Sequence, residues 1–252
     1  MKNKGVRYYD SYTDDFVQSS NQNYDLPDNY RWIRTDFKSR FLSGLIYGLA
    51  IIFGGLYCRL CLHLKIKGKN KIKGINEGFF VYGNHTQPIG DVFTPAICML
   101  PKRIYTVVSQ SNYGIPFIGK LLPYLGALPI AKSLHGAKEF NAAVECRIAN
   151  GHPVVIFPEA HVWEYYTDIR PFPDTSFKFP IKFNKPSFSM TVTYRKSKIF
   201  KRPVMTAFID GPFYADGNSL KEKSENLRNQ IFDAMRIRSA ESNFNYIEYI
   251  KK

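Results

Sequence analysis

Residues 79–91 read Phe-Phe-Val-Tyr-Gly-Asn-His-Thr-Gln-Pro-Ile-Gly-Asp, an apolar run followed by a short turn that contains a histidine and an aspartate. The apolar run at its start predicts a buried strand, and Pro88 and Gly90 predict an irregular turn after it. An imidazole exchanges protons near neutral pH, and a carboxylate can hold one ring N–H while the other nitrogen accepts a proton. His85 and Asp91 are therefore a candidate base and its orienter.

The spacing of this pair limits how it can form. His85 and Asp91 are six positions apart, so a continuous helix would turn them about 240° from one another. They can meet only if the turn is irregular, as its proline and glycine allow. A histidine that only hydrogen-bonds within the turn remains the alternative.

A second stretch repeats the plan of the first. Residues 154–161 read Val-Val-Ile-Phe-Pro-Glu-Ala-His, an apolar run followed by a proline, an acid and a histidine. Glu159 at a strand end can bind substrate or anchor a loop through backbone N–H groups. The two stretches together contain two histidines and two acids, which are possible metal ligands. They lack the helical H-x-x-x-H spacing and a C-x-x-C companion, so no metal site is predicted.

The rest of the chain alternates between strand and helix patterns, which predicts an α/β domain with functional loops at strand ends. The predicted strands cover 79–83, 104–108, 127–130, 153–157, 189–194 and 204–209. The predicted helices cover 92–100 and 136–150, and a last one opens at Ser219. We divide the 252 residues into a polar extension (1–40), an apolar segment (41–64) and the α/β domain (65–252).

The apolar segment includes eighteen uncharged residues, Phe41 to Cys58, with basic residues on both sides. A bilayer core needs about 20 residues, and flanking charges at both ends give no orientation. We therefore expect a segment that dips into or lies along one leaflet, although a single crossing and a buried helix of a soluble core stay open.

The formal net charge of +14 points to anionic partners. Residues 1–40 carry a net charge of only one, so the basic surface belongs to the rest of the chain. Lysines alternate from Lys65 to Lys73, and an extended chain would present them on one side, either to an anionic membrane or as a charged edge strand. No nucleic-acid reader motif accompanies them, so nucleic acid is not a predicted partner.

Four cysteines without disulfide-rich spacing suit a reducing compartment, and a polar start argues against a signal peptide. Cys58 and Cys61 form a lone C-x-x-C, which we interpret as buried small hydrophobes. The chain contains no G-x-S-x-G, Walker-type or G-x-G-x-x-G motif. This argues against the simplest hydrolase, nucleotide-binding and dinucleotide-binding functions.

From about residue 65 to 238 the chain resembles the glycerophospholipid acyltransferases of the lysophosphatidic acid acyltransferase type. Asn84, His85 and Asp91 match the first motif of that family, Asn-His-four residues-Asp, with five intervening residues here. The second block, a proline and glycines before a small strand ending in arginine, is similar to residues 115–132, where Lys132 replaces the arginine.

The third and fourth motifs of this family match the chain less closely. Phe157, Pro158 and Glu159 match the start of the third motif, Phe-Pro-Glu-Gly-Thr-Arg, whereas Ala160, His161 and Val162 replace its end. The fourth motif, an apolar strand with a proline, would fall near 187–193 and lacks the proline.

The resemblance implies a mixed sheet flanked by helices and an apolar N-terminal membrane-contact helix. It implies transfer of a fatty acyl group from acyl-CoA or acyl carrier protein to a hydroxyl of a lysophospholipid or related polar lipid, with no cofactor. His85 would be the general base and Asp91 its orienter. The implied substrate-binding residues are Lys132, Phe157, Pro158, Glu159 and His161.

The departures leave the acceptor open, because the lost Gly-Thr-Arg and arginine are phosphate-binding groups in that family. Basic residues that follow can substitute or can be solvated: Arg170, Lys178, Lys182 and Lys185. An acyl-thioester hydrolase using the same dyad and a catalytically decayed membrane-binding protein are the alternative functions. The expected location is the cytoplasmic face of the cell membrane, as a monotopic or single-pass protein.

Overall fold

The computed structural model of the chain describes residues 4–17, 23–200 and 202–252. Its helices are α1 (Phe37–Leu60), α2 (Gly90–Met99), α3 (Ile118–Leu125), α4 (Leu134–Ala149), α5 (Lys178–Phe183) and α6 (Leu220–Ser239). Its strands are β1 (Gly5–Tyr9), β2 (Lys65–Lys67), β3 (Phe80–Gly83), β4 (Tyr105–Val108), β5 (Ala127–Pro129), β6 (Val154–Ile156), β7 (Ser187–Arg195), β8 (Val204–Phe213) and β9 (Ile247–Lys251).

The main sheet has the strand order β2-β8-β7-β3-β6-β4-β5. The strands β3 to β7 all run in one direction, and β8 and β2 run the opposite way. The sheet is therefore mixed, as predicted. The carboxyl ends of β3 to β7 lie together at one edge of the sheet, which we call the carboxyl edge, and their starts form the amino edge.

Both faces of the sheet are covered, because its central strands are apolar throughout. All four residues of β3 and all three of β6 are buried. On one face Val81 and Val155 pack against apolar side chains of α1 and α2, including Cys58 and Met99. The other face packs against an inner stripe of α4 and α6: Phe140, Ala143, Val144, Leu227, Ile231 and Met235. This double burial gives the continuous apolar runs seen in the sequence.

The apolar segment forms the long helix α1, whose N-cap Asp36 accepts a hydrogen bond from the Ser39 N–H. One face of α1 packs on α2 and α3; a Cβ at Gly54 would meet the Phe93 ring at 2.4 Å, so glycine permits this close approach. The opposite face leaves large apolar side chains in the open: Phe37, Phe41, Leu45, Leu49, Ile52, Phe53, Leu56 and Leu60. By length and mean hydropathy, 1.9 over its best window, α1 is able to cross a membrane.

The expected single-sided row of lysines is wrong beyond Lys67. The chain leaves the strand at Gly68, whose φ is +77°, and then forms a 3-10 turn over Lys69–Ile72. A Cβ at Gly68 would meet the Ile209 carbonyl oxygen at 2.1 Å, so only glycine fits there. The turn sends the Lys71 ammonium to the Asp210 carboxylate, 2.6 Å away.

The polar extension, which falls partly outside the described residues, packs on the domain. Strand β1 pairs in parallel with β9, so the two ends of the chain form a separate two-stranded sheet. Further along, the Trp32 indole donates a hydrogen bond to the Pro129 carbonyl, and the Tyr30 and Tyr113 hydroxyls are 2.8 Å apart. The described part of the extension therefore packs against the surface of the α/β domain.

Candidate active site

The turn between β3 and α2 brings the candidate base and its orienter together at the carboxyl edge. Residues 84–89 are not helical, and α2 begins only at Gly90. His85 Nδ1 lies 2.8 Å from Asp91 Oδ2. Because a carboxylate only accepts hydrogen bonds, Nδ1 carries the proton and Nε2 keeps its lone pair. Among the described residues nothing hydrogen-bonds Nε2, so this nitrogen is available to accept a proton.

The Asp91 carboxylate is itself held in place. The same Oδ2 accepts the Gln87 backbone N–H at 2.8 Å, and Asp91 stands in the first turn of α2, where the helix dipole stabilises a negative charge. Asp91 is buried, and its Oδ1 has no partner among the described residues. One oxygen thus orients both the turn and the imidazole.

An aromatic ring covers one face of the imidazole. The Phe157 and His85 ring centroids are 4.5 Å apart, with 20° between the ring planes. Gly83 makes room for this stack, since a Cβ there would meet Phe157 Cε1 at 2.7 Å. The His85 side chain keeps 21% of its surface exposed. The exposed part is where a substrate hydroxyl can approach.

Glu159 lies beneath the turn as a buried anchor. Its Oε2 accepts the His85 backbone N–H at 3.1 Å and the Arg170 guanidinium at 2.9 Å, and its Oε1 accepts the Arg170 backbone N–H at 3.0 Å. The side chains of Glu159 and Arg170 are 0% and 1% exposed. Arg170 Nη2 also donates to the His161 carbonyl. Both groups are thus engaged within the protein and fix the position of His85 from below.

Two residues hold the turn of residues 84–89 against the sheet. Asn84 pairs with the Val192 backbone in both directions, at 2.8 and 3.0 Å. The Tyr194 hydroxyl lies 2.7 Å from Thr86 Oγ1 and accepts from the Gln87 amide at 3.0 Å. Burial, with the nearby Asp91 charge, raises the pKa of Tyr194 well above its ordinary value. The motif contained Asn84, but no sequence signal identified Tyr194.

The other predicted substrate-binding residues are placed around this turn or at a distance from it. Pro158 is partly exposed beside Phe157. His161 is partly exposed, with Nδ1 3.8 Å from the Asp15 carboxylate. Lys132 follows β5, three strands from β3 at the same edge, and its ammonium contacts the Asp25 carboxylate. Acids of the extension thus lie next to both Lys132 and His161.

The basic residues that follow the third motif are one buried arginine and three lysines nearer the surface. Arg170 is buried against Glu159, as described. Lys185 pairs with Glu77 at 2.7 Å at the amino edge, and Lys182 reaches Asn141 on α4. Lys178 is exposed at the start of α5. Within the described ranges, no group of three or more His, Cys, Asp or Glu residues is arranged to hold a metal ion.

The site thus combines a carboxylate-held histidine at the carboxyl edge of a mixed sheet with a long helix whose apolar face is exposed, a combination expected of an enzyme that works on lipids. The sequence model of the acyltransferase family matches residues 63–209, and the chain belongs to that family. The predicted membership of an acyltransferase family, and with it the predicted enzyme class, is confirmed at the level of acyltransferases.

Two relatives fit this assignment. The lyso-ornithine lipid O-acyltransferase of Rhodobacter capsulatus is 32% identical over 103 residues, which are 40% of this chain and 36% of that protein. The match thus spans about a third of that relative's length. The crystal structure of the 1-acyl-sn-glycerophosphate acyltransferase PlsC from Thermotoga maritima superposes with a TM-score of 0.55, at 16% identity, over 84% of this chain and 87% of that one. This likeness concerns the fold.

Proposed function

We propose that the protein transfers a fatty acyl group from an acyl thioester, carried by coenzyme A or acyl carrier protein, to a hydroxyl of a lysophospholipid or related polar lipid. The observation that carries this proposal is the 2.8 Å contact between His85 Nδ1 and Asp91 Oδ2, with Nε2 unengaged among the described residues. Membership of the acyltransferase family supports the same chemistry.

The transfer follows from the placement of the two groups. His85 Nε2 takes the proton of the acceptor hydroxyl as its oxygen attacks the thioester carbonyl carbon, and a C–O bond forms. Asp91 stabilises the imidazolium through Nδ1–H. The intermediate then collapses, the C–S bond breaks, and the imidazolium returns the proton to the departing thiolate. The products are an ester and a free thiol, and no covalent enzyme intermediate is required.

The acceptor's polar head has candidate contacts at the same edge. Lys132 is a point charge for a phosphate or carboxylate, without the fork of an arginine. An acceptor headgroup would displace Asp25 from it, because that contact is solvent-exposed and such ion pairs contribute about 0–1 kcal/mol. His161, Phe157 and Pro158 would border the headgroup, and the Glu159 carboxylate would support them from within.

The proposed location is a membrane surface on the cytoplasmic side, with α1 lying along it. The Ser43 hydroxyl bonds the Tyr124 carbonyl near one end of α1, and Cys58 Sγ is 3.9 Å from Thr94 Oγ1 near the other. Because the domain contacts α1 near both of its ends, an α1 that crossed the membrane would place polar parts of the domain in the hydrocarbon core. All four cysteines are free thiols, which supports a reducing compartment.

The deciding experiment measures thiol release from a panel of acyl-CoAs, and in parallel from acyl carrier protein, with and without acceptors. The acceptors include lysophosphatidic acid and lyso-ornithine lipid, because those lipids appear in the names of the two relatives. His85→Ala should lower acceptor-dependent release about 10³-fold or more. His135→Ala, which removes an exposed histidine on α4, is the matched control and should keep full activity.

The pattern of release separates the alternatives. Release that no acceptor accelerates would mean that water takes the place of the hydroxyl and the protein is a thioesterase. Unchanged release by folded His85→Ala would refute the dyad. Vesicle binding without turnover on any donor and acceptor pair would indicate a decayed, membrane-binding protein.

A further inference from the structure

A cavity of about 440 Å³ opens at the amino edge of the sheet, away from the dyad. It lies beside the starts of β4 and β5, between the end of α4, the start of α1 and residues 30–35 of the extension. His85 follows the carboxyl end of β3, so the two sites lie at opposite edges of the sheet. The cavity is therefore separate from the proposed acyl-transfer site, and neither His85 nor Asp91 lines it.

Arginines dominate the lining of this cavity: Arg31, Arg34, Arg40, Arg103 and Arg147. None of its lining residues is an aspartate or glutamate. Arg31 pairs with the nearby Asp36 at 3.8 Å, whereas the other four make no ion pair among the described residues. Four unneutralised guanidinium groups at one cavity form a strong local positive potential.

The guanidinium groups of Arg103 and Arg147 are held in position by the surrounding protein. Arg103 stacks over the Tyr47 ring at 4.5 Å, and Arg147 stacks over the Tyr105 ring at the same distance. Arg103 Nη2 donates to the Tyr124 carbonyl at 2.7 Å. The hydrogen bonds from the Arg103 and Arg147 side chains to described residues all run from Nη2, so their Nη1 donors have no partner among those residues. Fixed arginine forks with unused donors suit an anion with several oxygens.

The cavity also borders the apolar face of α1. Arg40 lies on the first turn of α1, next to Phe41 and close to Phe37, whose side chains are 66% and 84% exposed. If α1 lies on a bilayer, the cavity mouth stands at headgroup depth. His152 also lines the cavity, and burial followed by the charges of Arg103 and Arg147 lowers its pKa.

We propose that this arginine cavity binds a phosphate group, supplied by an anionic phospholipid of the membrane or by a soluble phosphorylated compound. The fork geometry, the absence of acids in the lining and the adjoining apolar face of α1 carry the proposal. No residue of the acyl-transfer site takes part in it.

The test compares two double variants that each remove two positive charges. Arg34→Gln/Arg40→Gln removes two positive charges from the cavity lining. Neither side chain is buried, so we expect the fold to tolerate the change. Lys38→Gln/Arg59→Gln removes exposed charges at the two ends of α1, outside the lining. Circular dichroism and thermal unfolding establish that both variants fold.

Two binding measurements distinguish the sources of phosphate. The first is flotation with phosphatidylcholine vesicles with and without phosphatidylglycerol, and the second is calorimetric titration with inorganic phosphate and pyrophosphate. The cavity variant should lose about tenfold or more in one of them, since each charge-assisted hydrogen bond supports about that much binding, and the control should lose less than about twofold.

Each result has a defined meaning. A selective loss on anionic vesicles assigns the cavity to a lipid headgroup, and a selective loss on soluble phosphates assigns it to a soluble ligand. Equal losses in both variants would show only general charge attraction and would overturn the proposal, as would unchanged binding in the cavity variant. Arg103→Lys, which keeps the charge but not the fork, should resemble the cavity variant. Acyl transfer is not a readout, so a failed acyl-transfer proposal leaves this test intact.

Discussion

Arg170→Met separates two roles for the arginine that follows the third motif. If Arg170 contacts a substrate phosphate, the variant weakens acceptor binding and leaves the fold stable. If it neutralises Glu159, the variant leaves a buried carboxylate without its counter-charge. The side chains are 1% and 0% exposed, so solvent cannot replace the missing partner. We therefore expect a loss of stability.

The size of that loss follows from the contacts. Methionine keeps an unbranched side chain but loses the 2.9 Å ion pair, the bond to the Tyr12 carbonyl and the stack over the Trp163 ring at 4.8 Å. Removing one partner of a buried pair costs about 3–5 kcal/mol, a large part of the roughly 5–15 kcal/mol of a typical domain. For a chain of this size the unfolding midpoint should fall by roughly 6–20 °C.

The assay is thermal and urea unfolding in the detergent used for activity. Lys185→Met is the matched control, because it breaks an ion pair with Glu77 at the surface and should cost about 0–1 kcal/mol. Glu159→Gln combined with Arg170→Met restores neutrality and should be more stable than Arg170→Met alone. A folded Arg170→Met with an unchanged midpoint and a raised KM for the acceptor would refute the anchor role.

Three further predictions concern titratable groups. Asp91→Asn should lower kcat about 10²–10⁴-fold in the thiol-release assay without unfolding the protein, since the amide no longer fixes the imidazole tautomer; a loss confined to KM would contradict this. Burial alone would raise the pKa of Asp210, but hydrogen bonds from Arg238 and Lys71 outweigh it and hold that pKa below its usual value. Its contribution is therefore fully present above the unfolded pKa of about 3.9 and is lost as the pH falls through the lower folded pKa. Asp210→Asn should accordingly cost about 2 kcal/mol at neutral pH and progressively less below about pH 3.9; a constant difference would argue against the pairing. His152 should titrate below its unfolded value of about 6.5 by NMR, so its contribution to stability declines as the pH falls, and phosphate in the cavity should raise that pKa.

Local patterns in the sequence predicted the parts of the fold that depend on local chemistry. The apolar runs at β3 and β6 are buried strands, and the capping pattern at Ser219 opens α6. The proline and glycine of the turn allowed the irregular path that joins His85 to Asp91. These features are decided by residues close together in the chain.

Other features depend on contacts between distant segments. The pairing of β1 with β9 joins the two ends of the chain, and Tyr194 reaches Thr86 from a strand that begins more than 100 residues later. The lysine alternation after Lys65 ends at Gly68, where the chain leaves the strand with a φ of +77°, and the nearby Ile209 carbonyl of a distant strand allows only glycine at that point. The local pattern of apolar and polar residues does not reveal such contacts between distant segments.

The position of α1 relates the two candidate sites to one membrane surface. At about 1.5 Å per residue its 24 residues extend about 36 Å. Its first turns line the arginine cavity at the amino edge, and Leu62, just after its end, packs against Gly90 at the start of α2. A helix lying flat would therefore hold the cavity and the catalytic turn at the same bilayer. A phosphate bound in the cavity would then fix one end of the domain while a lipid hydroxyl reaches His85 at the other. Weakening the cavity should consequently reduce transfer to acceptors embedded in anionic vesicles more than transfer to the same acceptors in neutral detergent.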